Sequence, residues 1–162
     1  MIPGIKKILY LTDLSENSRK ALVYAASLAD AYGADITVLH AFEILSPNAV
    51  LIASAYLGYG SMDEFKTKRE TDIAHELKNR IVETCDEIGD KFPACRFAVD
   101  QILVETGRVN DVILQHVKTD DYDIVVMGSH SGLKEAILGG TAQKVIRHCR
   151  KPVLVVPLDR DA

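Results

Sequence analysis

Short apolar runs alternate along the chain with longer stretches in which apolar residues recur every three or four positions. Lys6 to Leu11 is a short apolar run stopped by Thr12-Asp13, which predicts a buried strand. Ser15 then stands as an N-cap. The helix it opens carries Ala21, Leu22, Ala25, Leu28, Ala29 and Tyr32 at helical spacing, and Gly33 is placed to close it. Ile36 to Phe42 predicts a second strand. Phe65, Ile73, Leu77, Ile81, Cys85, Ile88 and Phe92 mark one face of a long helix whose other face is charged, with Gly89 and Pro93 at its end. Arg96 to Glu105 reads as a third strand, broken by Gly107. Val109, Val112, Ile113 and Val117 suggest a short helix ending near Asp120, and Asp123 to Met127 a strand stopped by Gly128. Ala142, Val145, Ile146 and Cys149 form one stripe of a last helix, and Pro152 to Pro157 is a final strand.

One segment fits neither period. From Ile44 to Met62 there is no charged residue, and Ala49 to Tyr56 is mostly apolar. A membrane span needs about 20 predominantly apolar residues. Here Ser46, Pro47, Asn48, Ser54, Gly58, Gly60 and Ser61 interrupt the stretch, so it reads as a long apolar loop inserted at about 44–62. Such a loop either packs over the sheet end or offers a surface to a protein partner. The whole order is β-α-β-loop-α-β-α-β-α-β. Apolar strands alternating with amphipathic helices predict a single doubly wound α/β domain over residues 1–162, its parallel sheet covered by helices on both faces.

Composition narrows the function. With 19 Lys and Arg against 23 Asp and Glu the net charge is -4, so no broad basic surface is implied and nucleic acid is not an expected partner. Cys85, Cys95 and Cys149 are odd in number and far apart, which argues against a disulfide framework or a zinc site. Reduced thiols in a cytoplasmic protein without membrane association are the expectation.

In a doubly wound sheet, ligands bind beyond the carboxyl ends of the strands, where strand order reverses. The residues to inspect are therefore Thr12-Asp13, then Ala41-Phe42-Glu43, and then the segment from Gly128 to Thr141. This last segment leaves a strand at Gly128 and enters a helix at Gly139-Gly140-Thr141. Glycines let the backbone approach an anion, and amide groups at a helix N-terminus point at it. Ser129, Ser131 and Thr141 add hydroxyls, and Lys144 adds charge. Together they make a candidate phosphate cradle, although the same residues also serve as a turn and cap with no ligand. Asp13 could accept hydrogen bonds from ribose hydroxyls or an adenine amine, or serve the N-terminus of the first helix.

Other constellations are weaker. No G-x-x-x-x-G-K-[ST] loop is present. Gly128-Ser129-His130-Ser131-Gly132 resembles a nucleophile elbow with His130 where the serine belongs. His75-Glu76 lacks the second histidine of a zinc protease, since Asn79 stands there. His40 and His116 read as core or boundary histidines, and His148 and Arg150 as charges at a helix C-terminus.

The residues Lys6 to Glu16 resemble the first strand of the universal stress protein family, Ile36 to Ala41 its second, and Met127 to Val156 its glycine loop, last helix and last strand. The resemblance covers nearly the whole chain. It implies a five-stranded parallel sheet of order 3-2-1-4-5, with Asp13 beside Gly128, and a homodimer formed through Val153, Leu154, Val155 and Val156. It also implies ATP as ligand, with AMP or ADP as alternatives and Mg²⁺ accompanying the phosphates. The nucleotide-binding residues it points to are Thr12, Asp13, Ala41, Met127, Gly128, Ser129, His130, Ser131, Gly132, Gly139, Gly140 and Thr141. The binding branch of the family is similar to Gly-x-x-Gly-(x)9-Gly-Ser/Thr. This chain departs from it: Ser131 stands where the second glycine belongs, Gly132 comes one place late, and the loop is one or two residues short. A binding module of the same fold without nucleotide is the alternative. A nucleotidyl transferase ranks last, because Thr12-Asp13-Leu14-Ser15 replaces the His-x-x-His type of motif. No catalytic or metal-ligating residue is assigned, and at most slow ATP hydrolysis is expected.

Overall fold

The computed structural model describes residues 4–15, 18–43, 46–93, 95, 99–119, 121–129 and 139–157. Five strands, β1 (Lys7–Leu11), β2 (Asp35–Phe42), β3 (Val99–Thr106), β4 (Ile124–Ser129) and β5 (Val153–Pro157), form one sheet in the order β3-β2-β1-β4-β5. Every pairing is parallel. The helices are α1 (Ser18–Tyr32), α2 (Pro47–Leu57), α3 (Met62–Ile88), α4 (Val109–Thr119) and α5 (Gly140–His148). The expected doubly wound α/β fold and its strand order are both present.

Alternation along the central strands divides the core in two. Ile8, Tyr10, Ile36, Val38 and Val126 face α1 and α3, together with Ala21, Leu22, Ala25, Leu77 and Ile81. Leu9, Leu11, Leu39, Val125 and Met127 face α4 and α5, together with Val112, Ile113, Ala142 and Val145. Strands buried on both faces read as continuous apolar runs, which is why Ile8-Leu9-Tyr10-Leu11 carries no polar position. Ile8, Leu9, Ile36, Val125 and Val126 are fully buried, each contributing about 1.5–3 kcal/mol.

The element ends have local causes. Ser15 Oγ accepts from the amide of Ser18, the first residue of α1, at 3.1 Å. At the other end of α1, Gly33 adopts φ 65°, and the Ala34 amide bonds back to the Ala29 carbonyl at 3.0 Å, a Schellman closure. Ser61 caps α3 by accepting from the Glu64 amide at 3.1 Å. The Asp123 carboxylate accepts from the Lys6 and Lys7 amides at 2.7 and 2.9 Å, tying the start of β4 to that of β1. Those two bonds hold its pKa below the ordinary carboxylate range.

Four expectations are corrected. The stretch read as an apolar loop contains α2, an eleven-residue helix that packs beside α3. It carries no charge to mark an outer face, so it shows no amphipathic period. The thiols read as reduced include a disulfide, Cys85–Cys95, with Cα atoms 5.4 Å apart, while Cys149 is a free thiol. Strand β4 does not stop at Gly128, because Gly128 and Ser129 continue the ladder opposite Val156 and Pro157. Ile146 turns away from the buried stripe of α5 and is 45% exposed. Among the described residues, no helix is long and apolar enough to cross a membrane.

Candidate functional site

The chain runs from β1 toward β2 and β3 on one side and resumes at β4 on the other, so strand order reverses between β1 and β4. Leu11 pairs with both Leu39 and Met127, which places Thr12 and Asp13 next to Gly128 just beyond the ladder. A cavity of about 210 Å³ opens there. Its wall includes Thr12, Asp13, Ala41, Met127, Gly128, Gly139, Gly140 and Thr141, eight of the residues expected from sequence. Ser129 closes β4 opposite Pro157 and does not line the cavity. His130, Ser131 and Gly132 lie outside the described residues. Lys144 is exposed, the fifth residue of α5 rather than part of its first turn.

Residues 12–15, which follow β1, are held by several hydrogen bonds. The Thr12 amide continues the β1–β2 ladder by donating to the Leu39 carbonyl at 3.1 Å. His40, buried in β2, donates from Nδ1 to the Thr12 carbonyl at 2.8 Å, a core role consistent with its strand position. Thr12 Oγ1 accepts from the Leu14 amide at 3.2 Å and lies 2.9 Å from Ser18 Oγ. The Ser18 hydroxyl gives its only proton to the Ser15 carbonyl at 2.7 Å, so Thr12 is the donor in that pair. Tyr10 donates to the Ser18 carbonyl at 2.8 Å, and burial pushes its pKa up. Leu14 has φ 67°, a left-handed conformation that costs a branched residue of order 1–3 kcal/mol and persists only where neighbours enforce it. The Arg80 guanidinium of α3 supplies one such restraint by donating to the Leu14 carbonyl.

Asp13 emerges from this loop as an exposed carboxylate at the cavity rim. It accepts from the Ser15 amide at 3.0 Å and the Ser15 hydroxyl at 2.6 Å, so it serves the entry to α1 as well as the cavity. On the facing wall, α5 begins at Gly140 after an extended Gly139 whose lack of a side chain leaves the first helical amides without a side-chain cap. Gly140, Thr141 and Ala142 all line the cavity, so the positive end of α5 faces Asp13 across it.

Apart from Met127, the floor was not legible residue by residue. Leu11, Leu39, Met127, Val109 and Ile113 supply it, with Ser18 at the edge. Val109 and Ile113 are one helical turn apart on α4, an i, i+4 signal that looks the same whether the face meets the core or a ligand. The remaining histidine expectation also resolves: His116 Nε2 bonds Glu105 Oε1 at 2.7 Å, a boundary contact away from the cavity. An apolar slot with a carboxylate at one rim and the N-terminus of a helix at the other suits a flat heterocycle carrying hydroxyls and an anionic tail.

The model of the universal stress protein family matches residues 4–157. Universal stress protein MJ0577 of Methanocaldococcus jannaschii is 32% identical over 157 residues, covering 93% of this chain and 94% of its own length. Universal stress protein YxiE of Bacillus subtilis is 30% identical over 152 residues, covering 93% and 97%. The solved structure of MJ0577 superposes with a TM-score of 0.69 over 98% of this chain and 100% of that one, with 26% of superposed residues identical. Two more distant structures share the fold: a universal stress protein in complex with cAMP (TM-score 0.55, 19% identity, covering 97% and 100%) and an Arabidopsis thaliana family protein with AMP bound (0.56, 19%, 96% and 94%).

Proposed function

The chain belongs to the universal stress protein family, and on that premise we propose that it binds an adenine nucleotide, ATP foremost, in the cavity between β1 and β4, as a cytoplasmic regulator of the stress response. The observation that carries the reading is that Asp13 and the glycine-led start of α5 line one cavity with an apolar floor. The purine stacks on Leu39, Val109, Ile113 and Met127. The ribose hydroxyls donate to the Asp13 carboxylate, and the phosphates meet the amides of Gly140, Thr141 and Ala142. Proteins of the same fold that hold AMP and cAMP support the adenylate class. AMP and ADP would use the same nucleoside contacts. Mg²⁺ would arrive with the phosphates.

The nucleotide is read as a ligand that sets conformation and partner choice rather than one rapidly turned over. Two surfaces would carry those partners. Strand β5 is a sheet edge, and pairing it with β5 of a second copy through Val153 to Val156 would remove an open edge. Helix α2 exposes Leu51, Ile52, Tyr56 and Leu57 and would serve another protein. The test is direct: purify the protein without added nucleotide, denature it and chromatograph the supernatant. Adenine nucleotide released near one equivalent supports the reading. Nothing released, with no Tm shift on adding ATP, contradicts it.

A further inference from the structure

We infer that the Cys85–Cys95 disulfide is a redox control on the cavity, acting through the C-terminal turns of α3 on the loop that presents Asp13; this rests on the nucleotide reading above. Both cysteines are 2% exposed and belong to the core layer shared by α1 and α3. The bond closes the turn between α3 and the approach to β3, at a sequence separation of 10. A two-layered core of this size does not need a staple to fold, so the bond calls for another use. The last turns of α3 also reach the loop that follows β1. Arg80, five residues before Cys85, donates to the Leu14 carbonyl. Thr84, adjacent to Cys85, donates to the Arg80 carbonyl at 2.9 Å and accepts from Arg19 Nε at 3.1 Å. Arg19 also pairs with Glu87 at 2.5 Å, so both sides of Cys85 are fastened to the start of α1, next to Ser18.

A second, small cavity of about 20 Å³ lies behind the loop, lined by Thr12, Leu14, Ser18, Arg80 and Thr84 among others. Thr12 and Ser18 line both cavities, so their hydroxyl pair is a shared wall. A shift of α3 has room to move that wall. Reduction supplies the shift. A dithiol gives two electrons and two protons: its thiolate attacks one cystine sulfur, the S–S bond breaks, and a mixed disulfide forms. Its second thiol then releases the protein, leaving Cys85 and Cys95 as thiols and the reductant as a disulfide. Reduction replaces one bonded pair by two separate thiols inside the layer shared by α1 and α3, and the C-terminal turns of α3 repack around them. Access comes from the surface turn, where Asp86, Glu87, Asp90 and Lys91 are exposed and local opening suffices.

The experiment measures AMP and ATP affinity for the full chain, oxidised and then reduced with dithiothreitol, with thiols counted to confirm one and then three. The expected result is about fivefold or weaker binding on reduction. Reciprocity then requires saturating nucleotide to make the disulfide harder to reduce by the same factor. Cys85→Ser with Cys95→Ser should bind like the reduced protein and ignore the reductant. Arg80→Gln should bind weakly in both states with the difference between them abolished. Equal affinity in the two states overturns the inference and leaves the nucleotide reading standing. Loss of far-UV CD on reduction also overturns it, because the bond is then structural. Absence of binding in both states overturns the nucleotide reading itself, and this inference with it.

Discussion

In the proposed complex Asp13 would do two jobs with one carboxylate, and substitution separates them. Asp13→Asn keeps an oxygen to accept from Ser15, so the entry to α1 survives. It loses the charge that a ribose diol would meet. Because Asp13 is exposed, the loss sits near the low end for a charged hydrogen bond, about 1–2 kcal/mol or about 5- to 30-fold in nucleotide affinity. Calorimetry on wild type and variant checks this, and equal affinity would remove Asp13 from the site. Asp123 tests the scaffold instead. Its pKa is lowered by the Lys6 and Lys7 amides, so its stabilisation is present above the unfolded value and lost as pH falls through the folded one. The Tm of Asp123→Ala should lie below wild type at neutral pH, and the gap should close in acid below about pH 4. A gap that is constant with pH would mean that the ionised carboxylate is not what joins β4 to β1. At this scale the sequence was readable where a residue directly follows a strand: Thr12, Asp13 and Gly128 are found by position alone. The floor residues Leu39, Val109 and Ile113 were hidden, because an aliphatic side chain carries no mark of whether it meets protein or ligand.

Among the elements, the start of α5 bears the largest share of the proposed anion contacts. Among the described residues, a Cβ built on Gly140 meets no atom within 4 Å, so Gly140→Val should leave the fold intact. Its side chain would stand over the amides that phosphates approach. The expected outcome is an unchanged CD spectrum with ATP affinity lowered by about tenfold, the order of one charge-assisted contact. AMP, with fewer phosphates, should lose less. An equal loss for AMP and ATP would place the phosphates elsewhere. Helix α2 shows the limit of periodicity: with no charged residue from Pro47 to Leu57, no polar face exists to set a phase, and glycine and serine nearby imitate a loop. The disulfide was hidden for a different reason. Only the return of the chain after α3 brings Cys95 to Cys85, and a spacing of 10 matches no metal or redox motif.

For the whole molecule, strand order was implied by family resemblance rather than by any single segment, and the register β3-β2-β1-β4-β5 follows from it. That order leaves β3 and β5 as edges, of which β5 is the proposed seam between two copies. Light scattering should therefore give about twice the 17.8 kDa of one chain. A monomeric mass at micromolar concentration would rule the seam out. The central claim is that one nucleoside phosphate sits where β1 and β4 part. Its most direct test is calorimetric titration of AMP, ADP and ATP into nucleotide-stripped, oxidised protein. The account predicts saturable heat with one adenine nucleotide per chain and no comparable heat from inorganic phosphate. Flat titrations with all three nucleotides would contradict it.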